Sequence, residues 1–294
     1  MRRSMLFLPG NSPKMIVNGL YLHPDSIILD LEDAVSPDEK DAARDLVRHA
    51  LSDLDFGGRE LIVRINALDT PYWEADLETV IPRKPDMIMP TKVSGGAYIR
   101  TLDEKITQLE QKAGLPIGNI RIIALLETAA GIEHAYEIAC ASPRMEALYL
   151  GAEDLSADLR CPRTKEGTEI LYARGRLVCA ARAADIKVDD TPFTDVEDLA
   201  GLEADTRLAK SLGFSGKAVI SPRHIEAVNR LFSPSADEVR YAHAVLAAIE
   251  EAKRQGKGAA SLNGRMIDAP IVLRAKQVLE AAELISQQGG GIGE

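Results

Sequence analysis

Two carboxylates, Glu127 and Asp154, each come at the end of a run of apolar residues. Glu127 closes "IIALLE" and Asp154 closes "ALYLGAED". Short apolar runs are typical of buried strands, so both acids are expected where a strand leaves the core. Carboxylate oxygens without a neighbouring His or Cys are the ligands that Mg²⁺ and Mn²⁺ prefer. The pair is therefore a candidate metal site; the alternative is that each acid caps a helix or pairs with a cation.

A second set of polar residues is suited to binding an anionic substrate. Arg64 lies between "LIV" and "INALDT", and Asn66 follows it two positions later. A guanidinium at a strand end suits a carboxylate or a developing enolate oxygen, or else a buried ion pair with an acid such as Glu32. Lys14 follows "PGNSP", where it can meet a phosphate at a helix start, although a solvated lysine is the commoner case.

Further charged residues also close apolar runs of the chain. They are Asp30, Glu32, Asp33, Lys92, Glu153, Asp189 and Asp190. If the strands form one parallel barrel, all these side chains are expected at a single mouth. None of the five histidines ends a strand, so histidine base chemistry is not our first choice.

The elements that must position these residues alternate along the chain. Short apolar segments lie at 4–10, 25–33, 60–66, 86–92, 121–128, 147–154, 186–192 and 216–222, with amphipathic helical patterns between them. Almost wholly apolar strands are covered on both faces, and alternation with helices demands parallel pairing through right-handed crossovers. We predict an α/β fold, a (β/α)₈ TIM barrel. A doubly wound open sheet is the alternative, because sequence does not show closure.

Helical patterns continue beyond the eighth segment, at about 222–232, 235–255 and 269–287. They exceed what a minimal barrel needs. We therefore predict a barrel domain over 1–232 and a C-terminal helical extension over 233–294, which caps the barrel or packs on a neighbouring subunit.

Composition excludes several classes of partner. The net charge of −10 repels nucleic acid and anionic membranes. No apolar run approaches the roughly 20 residues that span a bilayer, so we expect a cytoplasmic protein. Cys140, Cys161 and Cys179 share no spacing typical of a metal or redox site, and we expect reduced thiols.

Several long motifs resemble a known family. "RRSMLFLPGNSPKM", "DLEDAVSPDEKDAAR", "VRINALDT", "LLETAAGI", "LGAEDLSADLR", "LGFSGKAVISPRHIEAVN" and "SLNGRMIDAP" are similar to citrate lyase β subunits, within the HpcH/HpaI aldolase/citrate lyase family. The resemblance runs from Arg3 to about residue 285. It implies a TIM barrel, Mg²⁺ (or Mn²⁺), and cleavage of a citryl thioester on CoA or an acyl carrier protein to oxaloacetate and an acetyl thioester.

The resemblance also implies roles for individual residues. Glu127 and Asp154 match the metal ligands, and Arg64 matches the substrate-binding arginine, oriented by Glu32. Asp268 matches an acid that an adjacent subunit supplies to the catalytic site. Substrate binding is expected of Arg64 and Glu127, with Lys14 and Asn66 as further candidates.

The resemblance implies partners as well as chemistry. These are citrate lyase α and γ subunits, the latter an acyl carrier protein, and a homo-oligomer, a trimer if the protein acts alone. Two alternatives stay open: a stand-alone malyl-CoA, citramalyl-CoA or β-methylmalyl-CoA lyase, and a non-catalytic subunit that docks a carrier protein.

Overall fold

The chain forms two compact units in a computed structural model. The structure describes residues 1–255, 260–262 and 264–287. The first unit is Arg2–Val228, and the second holds the residues from Asn229 onward together with Met1. The predicted extension over 233–294 includes positions 256–259, 263 and 288–294, which lie outside the described residues. Its packing on a neighbouring subunit stays a prediction.

The first unit is a closed parallel barrel. Strands β1 to β8 pair in chain order, and β8 pairs with β1 to close the ring. They are β1 (Ser4–Pro9), β2 (Ser26–Asp30), β3 (Glu60–Ile65), β4 (Met87–Pro90), β5 (Arg121–Leu126), β6 (Met145–Leu150), β7 (Lys187–Asp190) and β8 (Gly216–Val219). Every predicted apolar segment overlaps one of these strands. The predicted (β/α)₈ barrel is confirmed, and the open sheet is wrong because the ring closes.

Helices follow the strands and cover the barrel from outside. Those up to the eighth strand are α1 (Pro13–Gly19), α2 (Lys40–Asp53), α3 (Trp73–Val80), α4 (Gly96–Lys112), α5 (Ala129–Glu133), α6 (Ala135–Ala139), α7 (Ala152–Asp158), α8 (Leu171–Ala183) and α9 (Leu199–Leu212). Short 3₁₀ helices lie at Pro37–Glu39, Ile81–Arg83 and Thr168–Ile170. α10 (Pro222–Phe232) follows β8.

Side-chain alternation divides the strand residues between the barrel interior and the helix layer. The interior core includes Met5 and Phe7 of β1, Ile123 and Leu125 of β5, and Ala147 and Tyr149 of β6, each two residues apart. Because alternate residues of a strand face the same side, the next interior positions on β5 and β6 are 127 and 151. Glu127 therefore continues the interior-facing series of β5 at the carboxyl end of the barrel.

The second unit has a core of its own. α11 (Ala236–Arg254) begins at a capping box formed by Ser235 and Glu238. It packs with α12 (Ala269–Gln287) and an antiparallel pair, β9 (Ala260–Leu262) and β10 (Arg265–Ile267). The predicted helices at 235–255 and 269–287 are present, whereas the two short strands escaped the sequence analysis.

No helix among the described residues is both long and apolar enough to cross a membrane. The cytoplasmic location stays a prediction. The three cysteines are free thiols, as expected.

Candidate active site

A cavity of about 430 Å³ lies at the carboxyl ends of the barrel strands. It is lined by Phe7, Pro9, Met15, Asp30, Asp33, Ala34, Arg64, Leu125, Glu127, Tyr149, Gly151, Ala152, Glu153, Asp154, Thr191, Pro192 and Ile220. These residues come from seven of the eight strands or the segments directly after them, and from α1 and α7. The cavity thus joins the predicted residues Arg64, Glu127 and Asp154 in one site.

Arg64 is held by a carboxylate on the neighbouring strand. Asp30 is its register partner across β2 and β3. The Arg64 Nε and Nη2 donate to the two Asp30 oxygens at 2.7 and 2.6 Å, which is a bidentate pair. Burial lowers the pKa of Arg64, but the charge of Asp30 and its hydrogen bonds outweigh burial and raise it. The guanidinium is therefore a permanent cation with a fixed orientation.

Glu32 also contacts Arg64, as the sequence predicts. Its Oε2 lies 3.0 Å from Arg64 Nη1, and Asp33 lies farther away, at 3.7 Å. Burial raises the pKa of Glu32, against the opposing charge of Arg64. Glu32 therefore contacts Arg64 from a second side.

Backbone contacts fix the segment that carries these acids. The Asp30 carboxylate accepts hydrogen bonds from the N–H groups of Glu32 and Ala34, at 2.9 and 3.2 Å. The buried Lys40 ammonium donates to the carbonyls of Leu31 and Glu32, both at 2.8 Å. Asp30 is thus bound both to Arg64 and to the loop that holds Glu32.

Two aromatic rings form the deeper part of the cavity. The Arg64 guanidinium carbon lies 5.0 Å from the centre of the Phe7 ring, a cation–π distance. Phe7 meets Tyr149 edge-to-face, with ring centres 6.3 Å apart. Tyr149 is only 2% exposed. Arg64 therefore has an aromatic face below it and acids along its edges.

Glu127 is a buried carboxylate. It is 4% exposed, and its Oε1 accepts a hydrogen bond from the backbone N–H of Lys92 at 2.9 Å. Lys92 has a φ of 54°, in the left-handed region that non-glycine residues rarely adopt. Burial, with the nearby charges of Asp154 and Glu32, raises the pKa of Glu127 to about 8. The fold thus holds a carboxylate whose negative charge is poorly compensated by its surroundings.

Asp154 lies in the first turn of α7, on the wall of the same cavity. Burial lowers the pKa of Lys92, but the charges of Glu32, Asp154, Asp33 and Glu127 outweigh it and raise the pKa. One mouth therefore concentrates several acids around few cations, and a divalent cation would relieve their repulsion.

Glycine at position 151 makes room for the Glu127 side chain. A Cβ added to Gly151 would lie 2.7 Å from Glu127 Cβ and 2.8 Å from its Oε2. No larger residue fits beside the carboxylate without moving it. The glycine of "LGAED" is thus part of the site.

The donors of this site fit Mg²⁺. Glu127 and Asp154 supply carboxylate oxygens only, and the buried Glu127 lacks a compensating side-chain cation at hydrogen-bonding distance among the described residues. Among those residues no three or more His, Cys, Asp or Glu form a metal-binding group. Two carboxylates suffice for Mg²⁺, which usually keeps waters and substrate oxygens as its other ligands.

Besides Glu32, three other predicted site residues lie outside the cavity lining. The Asn66 amide donates to Asp76 and to the Leu31 carbonyl, at 2.7 and 3.0 Å, so it ties α3 to the loop after β2. Lys14 is exposed on α1. Asp268 precedes α12 and is exposed, and its carboxylate accepts a hydrogen bond from the Ile271 N–H at 3.1 Å.

The expectation that Asp189 and Asp190 reach the mouth is wrong. Asp189 binds Arg2, 3.2 Å away, at the amino end of the barrel. Asp190 faces the helix layer and binds Arg174 and Lys217, at 2.8 and 2.7 Å. β7 ends at Asp190, and the next two residues, Thr191 and Pro192, line the cavity instead.

The structure adds residues that the sequence did not single out as site residues. Phe7, Tyr149 and Gly151 lie in apolar runs and look like ordinary core positions. Asp30 was placed at the mouth but not assigned to Arg64. The available signal was the two-residue spacing of interior positions along a strand. Phe7 and Pro9 follow Met5 at this spacing, and Tyr149 and Gly151 follow Ala147.

The family model for HpcH/HpaI aldolase/citrate lyase matches residues 3–222. The chain belongs to this family. The HpcH/HpaI resemblance predicted from the motifs is therefore confirmed, and so is the prediction of a carbon–carbon lyase as the reaction class.

Curated members of the HpcH/HpaI family match over nearly the whole chain. The citrate lyase subunit beta of Leuconostoc mesenteroides is 44% identical, covering 99% of this chain and 98% of the relative. An L-malyl-CoA/beta-methylmalyl-CoA lyase of Cereibacter sphaeroides is 36% identical, covering 97% of this chain and 95% of the relative. Sequence identity is higher with the citrate lyase subunit than with the malyl-CoA lyase.

One solved structure shows a similar fold. The protein CitE from Mycobacterium tuberculosis, in complex with magnesium, acetoacetate and coenzyme A, is 31% identical. The match covers 96% of this chain and 98% of that chain, with a TM-score of 0.78.

Proposed function

We propose that this protein is a Mg²⁺-dependent carbon–carbon lyase that cleaves a citryl thioester to oxaloacetate and an acetyl thioester, as the β subunit of citrate lyase. The observation that carries the proposal is the buried Glu127 beside Asp154 in a cavity that also presents Arg64. Similarity to the Leuconostoc citrate lyase subunit supports the choice of substrate.

The site residues match the charges that this cleavage must manage. The bond between the hydroxyl-bearing carbon and the methylene of the thioester breaks, and its electron pair moves to the methylene carbon. The hydroxyl proton leaves as the C–O bond becomes a carbonyl, and the methylene carbon later gains a proton. Negative charge therefore passes from one half of the substrate to the other.

Glu127 and Asp154 would hold the metal ion. When bound, Mg²⁺ lowers the pKa of a coordinated hydroxyl and neutralises adjacent carboxylate charge. A folded site in which Glu127 is protonated up to a pH of about 8 must release that proton to bind the cation. Glu127 thus couples metal binding to pH.

Arg64 would bind a carboxylate of the keto-acid half. Asp30 and Glu32 each take one N–H of the two terminal nitrogens, so a second N–H on Nη1 and on Nη2 is left for the substrate carboxylate. Glu32 is a positioning residue, because it contacts Arg64. Lys14 and Asn66 contribute to substrate binding only as secondary candidates, since neither lines the cavity.

Asp268 is proposed as the acid that moves a proton at the acetyl carbon, supplied by a neighbouring copy of the chain. The experiment is complementation between two inactive variants, Arg64→Ala and Asp268→Ala. Mixed oligomers contain sites with an intact barrel and an intact neighbouring Asp268, so mixing after partial unfolding should restore activity. If mixed oligomers form but lyase activity does not return, Asp268 acts in its own chain's site or lies outside the mechanism.

The proposed partners are citrate lyase α and γ subunits, the γ subunit being the carrier protein. Support comes from the name of the Leuconostoc relative, which is a subunit of citrate lyase. An assembly that contains several copies of the chain accords with a neighbour's Asp268.

The function is tested by assaying the purified protein on citryl-CoA with Mg²⁺ and with a chelator. We expect oxaloacetate, lost on chelation. Glu127→Gln and Asp154→Asn should each lower kcat/KM at least about 100-fold, the size typical of losing one strong electrostatic stabiliser. Glu104→Gln, on the outer helix α4, is the control and should keep wild-type activity.

Other products would change the assignment. Pyruvate from citramalyl-CoA, or glyoxylate from malyl-CoA, without oxaloacetate from citryl-CoA would favour a stand-alone lyase, as the Cereibacter relative suggests. Undiminished activity in Glu127→Gln would remove that residue from the metal site. No turnover of any thioester, even with a loaded carrier protein, would favour a docking subunit.

A further inference from the structure

We propose that the hydroxyl of Tyr149 is a specificity-determining hydrogen-bond donor for the second carboxylate of the substrate, the one that is not adjacent to the reacting hydroxyl. This inference rests on the proposed function. It concerns how the cavity tells a tricarboxylic from a dicarboxylic acyl group.

The Tyr149 side chain is a buried polar group that faces the cavity. It lines the cavity and is 2% exposed. Its hydroxyl makes no hydrogen bond with any of the residues that the structure describes. Because Tyr149 lines the cavity, a hydroxyl without a protein partner is open to an acceptor on the ligand.

Register places Tyr149 below the proposed metal site. It is the neighbour of Leu125 across β5 and β6, and these two residues precede Gly151 and Glu127 by two positions each. Two residues of strand span about 7 Å. The ring thus forms the floor of the cavity, one layer deeper than Glu127.

The shape of the substrate decides which group reaches that floor. The hydroxyl-bearing carbon of a citryl thioester carries a carboxylate, a CH₂–COO⁻ arm and the thioester arm. The carboxylate lies beside the hydroxyl and therefore near the metal ligands. The thioester arm must lead outward, because a carrier does not fit into a cavity of about 430 Å³. The CH₂–COO⁻ arm is left to point inward.

A carboxylate at the floor needs both a cation and a neutral donor. Arg64 stands over Phe7, which in turn contacts Tyr149, so the cation and the hydroxyl serve the same region. Burial raises the pKa of Tyr149 well above its ordinary value, so the hydroxyl keeps its proton. Phe7 and Leu125, which line the cavity beside Tyr149, are apolar.

The test compares two substrates that differ only in this arm, citryl-CoA and citramalyl-CoA, in which a methyl replaces CH₂–COO⁻. Tyr149→Phe removes the oxygen and keeps the ring against Phe7. We expect kcat/KM for citryl-CoA to fall about 10- to 100-fold, because a hydrogen bond to a charged group is lost. Any turnover of citramalyl-CoA should change less than about twofold. Tyr21→Phe, at a tyrosine that is 76% exposed, is the matched control and should change neither rate.

Binding of the keto acids separates this inference from the proposed function. With Mg²⁺ present, calorimetry of wild type and Tyr149→Phe should show weaker binding of oxaloacetate in the variant and equal binding of pyruvate. This pattern would support the inference even if citryl-CoA is not cleaved. Equal losses for both ligands, no loss for either, or a wild type that does not distinguish them would overturn it.

Discussion

The substitution Gly151→Ala tests whether the fold holds Glu127 in place. The backbone at Gly151 has φ −99° and ψ 101°, an extended conformation that alanine adopts without strain. The effect of the change is therefore steric. The new methyl would lie 2.7 Å from Glu127 Cβ, and an ordinary contact begins at 3.4 Å, so one of the two must move by about 0.7 Å.

Movement on that scale should disturb catalysis more than folding. Misplacing a catalytic group by about 1 Å can lower the rate by about 100-fold, so we expect kcat/KM to fall about 10- to 100-fold. The Mg²⁺ concentration for half-maximal activity should rise. Overpacking a buried position lowers the free energy of unfolding by about 1 to 3 kcal/mol.

The assay is citryl-CoA cleavage over a range of Mg²⁺ concentrations, with urea unfolding in parallel. Gly175→Ala is the matched control, because nothing lies within 4 Å of its added Cβ in the middle of α8. That variant should keep wild-type activity and gain about 0.5 to 1 kcal/mol of stability. A Gly151→Ala protein with wild-type kcat/KM and Mg²⁺ dependence would refute the role given to Glu127 and its glycine neighbour.

Two further perturbations address the residues around Arg64 and the opposite end of the barrel. Asp30→Asn breaks the charged bidentate pair with Arg64, so KM for citryl-CoA should rise at least about 10-fold. Asp41→Asn, at a side chain that is 92% exposed, is the control and should leave KM unchanged. Equal KM values in wild type and Asp30→Asn would remove Asp30 from substrate positioning. Burial raises the pKa of Asp189 to about 6 despite its pair with Arg2, so this group's contribution to stability is full below pH 3.8 and is lost as pH rises through 6. Between pH 4 and 7 the unfolding free energy of wild type should therefore fall relative to Asp189→Asn by up to about 3 kcal/mol, and a pH-independent difference in urea unfolding would contradict the assignment.

The sequence alone determined the strands, the class of fold and the principal site acids. Strand existence follows from local apolar runs, and strand–helix alternation restricts the topology to parallel pairing. An acid directly after such a run must lie at the carboxyl end of a strand. The same pattern predicts Glu127, Asp154 and Arg64 at one barrel mouth, and the cavity there contains all three.

Only the tertiary structure decided closure, register and side-chain direction. Closure depends on pairing between β1 and β8, which are far apart in the chain. The bidentate contact of Asp30 with Arg64 depends on the register of β2 against β3. The expectation for Asp189 and Asp190 is wrong because the pairing of β7 with its neighbours sets the direction of each side chain. Asp189 contacts Arg2, and Asp190 faces the helix layer. Local patterns specify elements, whereas the partners of each side chain are set by residues distant in sequence.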